Sequence, residues 1–495
     1  MSGQPLLGRE RGFWVAYAAM LLLVLAVALR SITMAVVLVA VLGCLALLAP
    51  TFGTKKGTLR LSILLLVTVL VLPDDAALKY RIPVGGGGIF IIDILLALLV
   101  MSWVVHMLSQ RRVALIRSPV TLPLVLFLLW VAVSGVNGYL SGNDVKVILQ
   151  DARGLIYFVL FLWVVTSNAE KGLVYLLLRV LAGCMVVGFV LGLYGLAVGQ
   201  GTQLTYVEAG VSRFPAPNEV FVMSAALLVT FVVMWPGRRR RPWYLWLFLF
   251  VSLVAVLLAF VRGYWIGLAV GLLYLLLVGR TRQRLRLVVS VMLLLTVVGA
   301  GLAVLRPAIL ESVVTRGMAV GDYRTDPSIQ YRLIENREVT QQIEQQPVMG
   351  NGLGKSYIFD FSRYGVAPFA KVYIHDNYLW FAQRMGLIGL GLFVWMMAAF
   401  LFSWHRLRRY FAGGDPWLVG LIVGSRVMIV SLLVISISSP QFNVKGQTAV
   451  IGVIMGLAEM AGALLREPAE ATSEASAGSR SLLPADPRVS VGSSP

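Results

Sequence analysis

Long apolar runs recur from one end of this 495-residue chain to the other, and they limit its possible folds more than any other feature. Leu61–Leu72, Leu245–Phe260 and Leu287–Leu305 are examples. A bilayer core of about 30 Å is crossed by about 20 apolar residues in helical form. In lipid, every backbone N–H and C=O must be satisfied within the protein, which leaves helices and closed barrels. These runs are continuous, whereas barrel strands alternate apolar and polar residues. Composition agrees, with 59% apolar and 13% charged residues, against about 45–50% and about 25% in soluble domains. The expected fold is all-α, a polytopic integral membrane protein.

The runs suggest about fourteen transmembrane helices, at 13–29, 32–49, 59–72, 89–107, 119–136, 154–166, 173–198, 218–235, 243–260, 263–279, 286–305, 378–403, 417–437 and 448–465. Basic residues test this division, because Lys and Arg concentrate in cytoplasmic loops. One set of alternate loops holds 20 of them, including Lys55, Lys56, Arg238–Arg241 and Arg280–Arg286, and the other set's short loops hold eight. The first set is therefore read as cytoplasmic. That places residues 1–12 inside the cell, spans one to eleven in 13–306, and a large helical extracytoplasmic loop over 307–377. The last three spans follow in 378–465. A cytoplasmic tail over 466–495, rich in Ser, Ala, Pro and charge, has too little apolar surface to fold alone.

The formal charge of +19 raises the question of nucleic acid, but its placement in short inter-span loops assigns it to orientation instead. Cys44 and Cys184 lie inside apolar runs and support neither a disulfide framework nor a metal site. The first apolar run leads into a second without a small-residue cleavage site. No zinc-type spacing or acidic pair with metal-ligand geometry occurs in the outer loops, so neither a metal nor another cofactor is expected.

The 307–377 loop has an order of its own. Asp326 and Pro327 are good N-cap and N1 residues, and Ile329, Leu333 and Ile343 suggest one apolar face on a helix over about 327–346. Pro347 ends it. Gly350-Asn-Gly-Leu-Gly354 then reads as a flexible turn; it matches no nucleotide-binding spacing and no strand precedes it. The segment Tyr373–Leu379 stands at the mouth of the next span.

His375 is the one histidine of three placed on this side, flanked by Asp376 and Asn377. A neutral imidazole accepts protons near neutral pH; the alternative is a structural surface role. Outer-side arginines form a second group. Arg262 sits between two apolar runs, where a charge is costly unless paired or functional, the alternative being a snorkelling interfacial side chain. Arg213 lies in the loop before the eighth span. Arg153 opens the sixth span beside Asp151, its nearest candidate partner, and Arg332 has Glu335 three residues on. Planar, permanently charged guanidinium groups suit phosphate, and several meeting in one outer cavity would suit a diphosphate. Asn218 is either the N-cap of its span or a group that orients a substrate hydroxyl.

The order of these pieces resembles the O-antigen ligase and polymerase superfamily. The residues that carry the likeness are Arg332 on a helix, Pro347-Val-Met-Gly-Asn-Gly-Leu-Gly354, His375-Asp-Asn-Tyr-Leu379 and Gly386-Leu-Ile-Gly-Leu390. Pro217-Asn218 and Arg262-Gly263 precede their spans as in that family. The motifs cover about 200–400, and hydropathy alone carries the rest. The resemblance implies a glycosyltransferase of the bacterial inner membrane, active on its extracytoplasmic face. Its donor would be a glycan on undecaprenyl diphosphate, and its acceptor a hydroxyl on a glycan or lipid, as in lipopolysaccharide or other polysaccharide biosynthesis. His375 would be the base. Arg262 and Arg213 would hold the leaving diphosphate, with Arg153, Arg332, Asn218 and Asn377 as further substrate-binding candidates. Transfer would be metal-independent and inverting. Two departures stand out. Arg384 occupies a place where relatives often carry an acidic residue, and the chain has about two spans more than the usual twelve, which tilts the reading from ligase toward polymerase. Two readings of other classes stay open: a polysaccharide-precursor transporter or flippase, which predicts an internal repeat that the sequence does not display, and a glycan-binding membrane protein without turnover.

Overall fold

The computed structural model describes residues 51–71, 81–84, 87–110, 116–199, 218–235, 242–305, 327–360, 367–411 and 414–481, with a few single positions between them. The expected spans at 13–29 and 32–49 lie outside the described residues. From the third span on, helix covers each expected run. In chain order these are α1 (Lys55–Val71), α2 (Ile91–Ser109), α3 (Thr121–Leu140), the broken pair α4 (Val145–Ile156) and α5 (Val159–Val165), α6 (Lys171–Ala197), α7 (Asn218–Met234), α8 (Tyr244–Leu258), α9 (Arg262–Val278) and α10 (Thr281–Leu305). After the loop helix α11 (Pro327–Gln345) come α12 (Asn377–Ser403), α13 (Pro416–Ile435) and α14 (Lys445–Ser481). Eight helical stretches are long and apolar enough to cross a membrane, and three shorter apolar helices join them among the described residues. The protein is thus an all-α polytopic membrane protein, and the total of fourteen rests on the sequence.

The chain departs from expectation at its C-terminal end. The tail expected to be unfolded from Arg466 continues as helix to Ser481. Glu467, Ala469, Glu470, Ala471, Glu474 and Ala475 are strong or fair helix formers and an existing helix needs no new nucleation step; it continues here in spite of Pro468, which withholds one backbone donor. Residues 482–495 lie outside the described residues.

Helix α13 is the centre of the bundle, buried along nearly its whole length. Asp415 caps its start by accepting the Trp417 amide at 3.0 Å, and Pro416 holds the first helical position. Small residues let its neighbours approach, as is usual where lipid supplies no hydrophobic drive between helices. A Cβ on Gly267 of α9 would sit 2.7 Å from the Ser431 carbonyl oxygen. At the far end of α12, Arg426 of α13 donates to Glu459 of α14 at 3.0 Å and to Ser403 at 2.6 Å, pairing a buried charge that would be costly alone.

Two short hairpins accompany the helices. One pairs β1 (Arg81–Val84) with β2 (Gly87–Phe90). The other pairs β3 (Tyr357–Phe359) with β4 (Phe369–Lys371), setting Tyr357 opposite Lys371. Strand period two points Tyr357 and Phe359 inward and Ile358 outward.

Candidate functional site

Helix α11 appears over Pro327–Gln345, within a residue of its expected limits. Its buried face is only partly the one expected. Leu333 is 53% exposed, whereas Glu335 and Val339 are fully buried and Tyr331 packs against the core. The stripe Tyr331–Glu335–Val339–Ile343 follows the i, i+4, i+8 rule and contains a carboxylate; of the three apolar residues expected on the inner face, Ile343 packs against the core on this stripe and Leu333 does not.

That carboxylate is the hub of the site. Glu335 accepts the His375 backbone amide at 2.6 Å and faces His375 Nδ1 at 3.0 and 3.1 Å. The Tyr357 hydroxyl donates to it at 2.8 Å, and the Lys371 ammonium closes an ion pair with it. Lys371 also lies over the Tyr331 ring at 4.5 Å and the Phe359 ring at 5.2 Å. Burial raises the Glu335 pKa, but the bonds from His375 and Lys371 outweigh it and bring the value down to about 2. The carboxylate is therefore ionised, and an ionised carboxylate only accepts. Nδ1 must then carry its proton toward Glu335. In the neutral ring this leaves Nε2 as the acceptor.

His375 keeps 26% of its side chain exposed and is flanked edge-on by Tyr373 at 4.9 Å and Tyr331 at 5.9 Å. Burial holds the Tyr373 hydroxyl up to about 12, helped by the charges of Glu219 and Glu335 and opposed by Arg332. The charges of Glu219, at the start of α7, and of Arg332 thus act on the ring that flanks the imidazole. Glu219, second residue of α7, also accepts from the Tyr264 hydroxyl of α9, which brings the first turns of α7 and α9 together. Asn218 and Arg262 are the first residues of those two helices.

The turn over 436–443 gathers the remaining candidates. Asn377 is fully buried; its backbone N–H donates to the Ser436 carbonyl, and its Oδ1 accepts from the Gln441 and Phe442 backbone amides, all at 2.8 Å. Its carboxamide oxygen thus faces the protein's own backbone. Gly263, beside Arg262, packs on Ser438 of this turn, and Gly154, beside Arg153, packs on Asn443. Arg153 itself bonds Asp93 at 2.8 Å and covers the Phe90 ring at 4.4 Å. It is not paired with Asp151, which stands only two residues away. Asp151 instead takes Arg384 at 2.7 Å and the Gly354 amide at 2.8 Å. Arg213 lies outside the described residues, as does the side chain of Asn218.

The glycine turn is packed and rigidly placed, not the flexible connector expected. Gly350, Gly352 and Gly354 all have φ between 76° and 81°, a region open to glycine at little cost. Residues 350–354 are buried. The reason lies in α12, which breaks at Gly386 (φ 66°, ψ −174°). The turn fills that break: Leu387 donates to the Pro347 carbonyl at 2.8 Å, and Asn351 donates to the Gln383 carbonyl at 2.8 Å. Trp130 Nε1 takes the Met385 carbonyl at 2.8 Å. An irregular helix at membrane depth is tolerated where other protein groups satisfy its backbone. Arg384, inside the break, bonds Asp151, Gln383 and the Val372 carbonyl. The residue that departs from the resembling family is thus a buried anchor between α4, α12 and the strand leading to His375.

Sequence reasoning missed Glu335, Lys371, Tyr357 and Tyr373. The available signal was Glu335 in phase with Tyr331 and Val339; the strand partners required tertiary structure. Among the described residues, no group of three or more His, Cys, Asp or Glu side chains could hold a metal ion.

Comparison with curated proteins gives no match. Residues 247–394 match the model of the O-antigen ligase family, a stretch running from α8 through the kinked part of α12 that includes Arg262, Arg332, Glu335, His375 and Asn377. Over this stretch, about a third of its length, the chain is similar to the O-antigen ligase family.

Proposed function

We propose that this protein is a glycosyltransferase of the bacterial inner membrane that moves a glycan from undecaprenyl diphosphate to an acceptor hydroxyl on the extracytoplasmic face. The observation that carries the reading is the His375–Glu335 pair: a buried, ionised carboxylate on Nδ1 leaves Nε2 at a partly exposed position to take a proton.

The chemistry follows from the groups present. A sugar hydroxyl is a weak nucleophile, and positioned proton removal contributes about 10²–10⁴-fold. As Nε2 takes the proton, the acceptor oxygen forms its bond to the anomeric carbon and the bond from that carbon to the diphosphate breaks. Displacement from the opposite side inverts the centre. Glu335 orients the ring and stabilises the imidazolium, the role a carboxylate plays behind a catalytic histidine elsewhere. Lys371 neutralises Glu335 from its other side, so the proton stays on the imidazole. Negative charge grows on the departing diphosphate, which fixed guanidinium groups stabilise. Arg262 and Arg213 are the first candidates for that task. Arg332 stands near enough to act on Tyr373, and Arg153 would have to leave Asp93 to join them. Asn377 is better read as a positioning residue that fixes His375 against the 436–443 turn. No metal or cofactor is needed for these steps.

The span count expected from the sequence, about two above the usual twelve, favours a polymerase over a ligase. The surface glycan of a deletion strain tests this. Single repeat units left on the lipid core would support a polymerase, complete loss of the glycan would indicate a ligase, and an unchanged profile would reject both.

A further inference from the structure

A cavity of 620 Å³ lies within the bundle, between α6, α7, α8, α13 and α14. It is a different place from the His375 site. Tyr175, Tyr244 and Trp417 line it at the face where α6, α8 and α13 begin, and Val220 and Val450 line it within two turns of the other face. It therefore extends along most of the membrane depth. Nearly all the intervening wall is apolar, with Leu, Met, Val, Ile and Phe side chains. This volume is in the usual range for a small-molecule site.

One charge lines it. Arg179 stands eight residues into α6, about 12 Å along the helix from Lys171 at 1.5 Å per residue. Tyr175 is one turn before it on the same face. Arg179 is exposed to the surroundings of the bundle and, among the described residues, has no hydrogen-bond or ion-pair partner. An arginine at that depth is costly unless a counter-charge meets it. The acidic group at the mouth beside Tyr175 is already engaged: Asp415 accepts from the Tyr175 hydroxyl at 2.6 Å and from the Trp417 amide. An apolar channel with an unmatched guanidinium at one end complements a molecule with long hydrocarbon chains and an anionic phosphate head. Guanidinium groups bind phosphate by parallel hydrogen bonds.

We infer that this cavity holds an anionic phospholipid from the leaflet opposite His375, with its phosphate on Arg179 and an acyl chain between α6, α7 and α8. The lipid fills a space that the helices leave open and fixes α7, whose first turn carries Asn218 and Glu219, against α6. This site stands on Arg179 and the cavity alone and does not depend on the glycan-transfer reading.

Native mass spectrometry of the full chain in neutral detergent, titrated with phosphatidylglycerol or phosphatidylcholine, provides the test. The wild type should retain one phosphatidylglycerol at least tenfold more tightly than phosphatidylcholine. Arg179→Gln should remove that preference, and Arg179→Lys should keep part of it. Ser224→Phe, which fills the cavity from α7 without touching Arg179, should remove the bound lipid in either form, and circular dichroism melts of all three variants report folding separately. Equal retention of both lipids by the wild type, or an unchanged preference in Arg179→Gln, overturns the inference. So does displacement of the phospholipid by a polyprenyl diphosphate, which would assign the cavity to the donor.

Discussion

At the scale of single residues, the site depends on Glu335. Its carboxyl titrates near 2 in the folded protein against an ordinary 4.5. A folded pKa below the unfolded one means that the stabilisation is complete above about pH 4.5 and is lost as the pH falls toward 2. Protease nicking between 327 and 375, followed against pH, should therefore rise over that window and stay flat from pH 5 to 8. Glu335→Gln should lower kcat by at least about tenfold, toward the roughly 10⁴ lost when a catalytic imidazole is left in the wrong tautomer. The KM for donor should change little, because the imidazole acts on the acceptor; an equal effect on both constants would indicate a collapsed loop. Glu335→Asp should recover part of kcat. Arg384 carries a different burden. Truncating it to Met would leave Asp151 buried without its partner, which typically costs about 3–5 kcal/mol, and thermal unfolding should show that loss. His375 was legible in the sequence because it is an isolated titratable group at a span mouth. Glu335 was not, because a helix-phase argument built on aliphatic residues treats a carboxylate in the stripe as solvent-facing. The Asp151–Arg153 pair failed for a related reason: neighbours two apart on a helix do not face each other.

At the scale of elements, the glycine turn and the kinked α12 form one device. Each depends on the other, since the break at Gly386 frees the Leu387 and Ile388 amides, which donate to the Pro347 and Val348 carbonyls, and the Gln383 carbonyl, which accepts the Asn351 amide. A Cβ on Gly352 would lie 2.3 Å from the Gly138 backbone, and one on Gly350 would lie 2.4 Å from the Gly386 amide. Gly142 has a similar φ of 74° with nothing within 4 Å. Gly142→Ala should thus cost about 1 kcal/mol or somewhat more, from backbone strain. Gly352→Ala adds an overlap with backbone that no side-chain rotation relieves, and should unfold at a clearly lower temperature. The limits of α11 and the position of its stop at Pro347 were readable from capping and proline rules. The packing of 350–354 was not, because five residues rich in glycine look the same in sequence whether they are mobile or wedged into a broken helix.

At the scale of the whole molecule, hydropathy located the helices from Lys55 onward, since the bilayer leaves a chain so few choices. What it could not supply was their arrangement: which first turns meet. The structure brings α7, α9, α12 and the 436–443 turn to one face, and the Arg262, Asn218 and His375 positions with them. In the proposed orientation, in which the more basic loops are cytoplasmic, that face is the outer one. Lys355→Cys should react with an impermeant maleimide in intact spheroplasts, whereas Arg280→Cys should react only after permeabilisation, and the reverse pattern would place the site in the cytoplasm. The central claim is that His375 removes the acceptor's proton. Its most direct test is transfer by purified His375→Ala in single turnovers on a lipid-diphosphate glycan, with donor binding measured on the same sample. The account predicts transfer reduced about 10²–10⁴-fold with donor affinity within about twofold of wild type; transfer at the wild-type rate would contradict it.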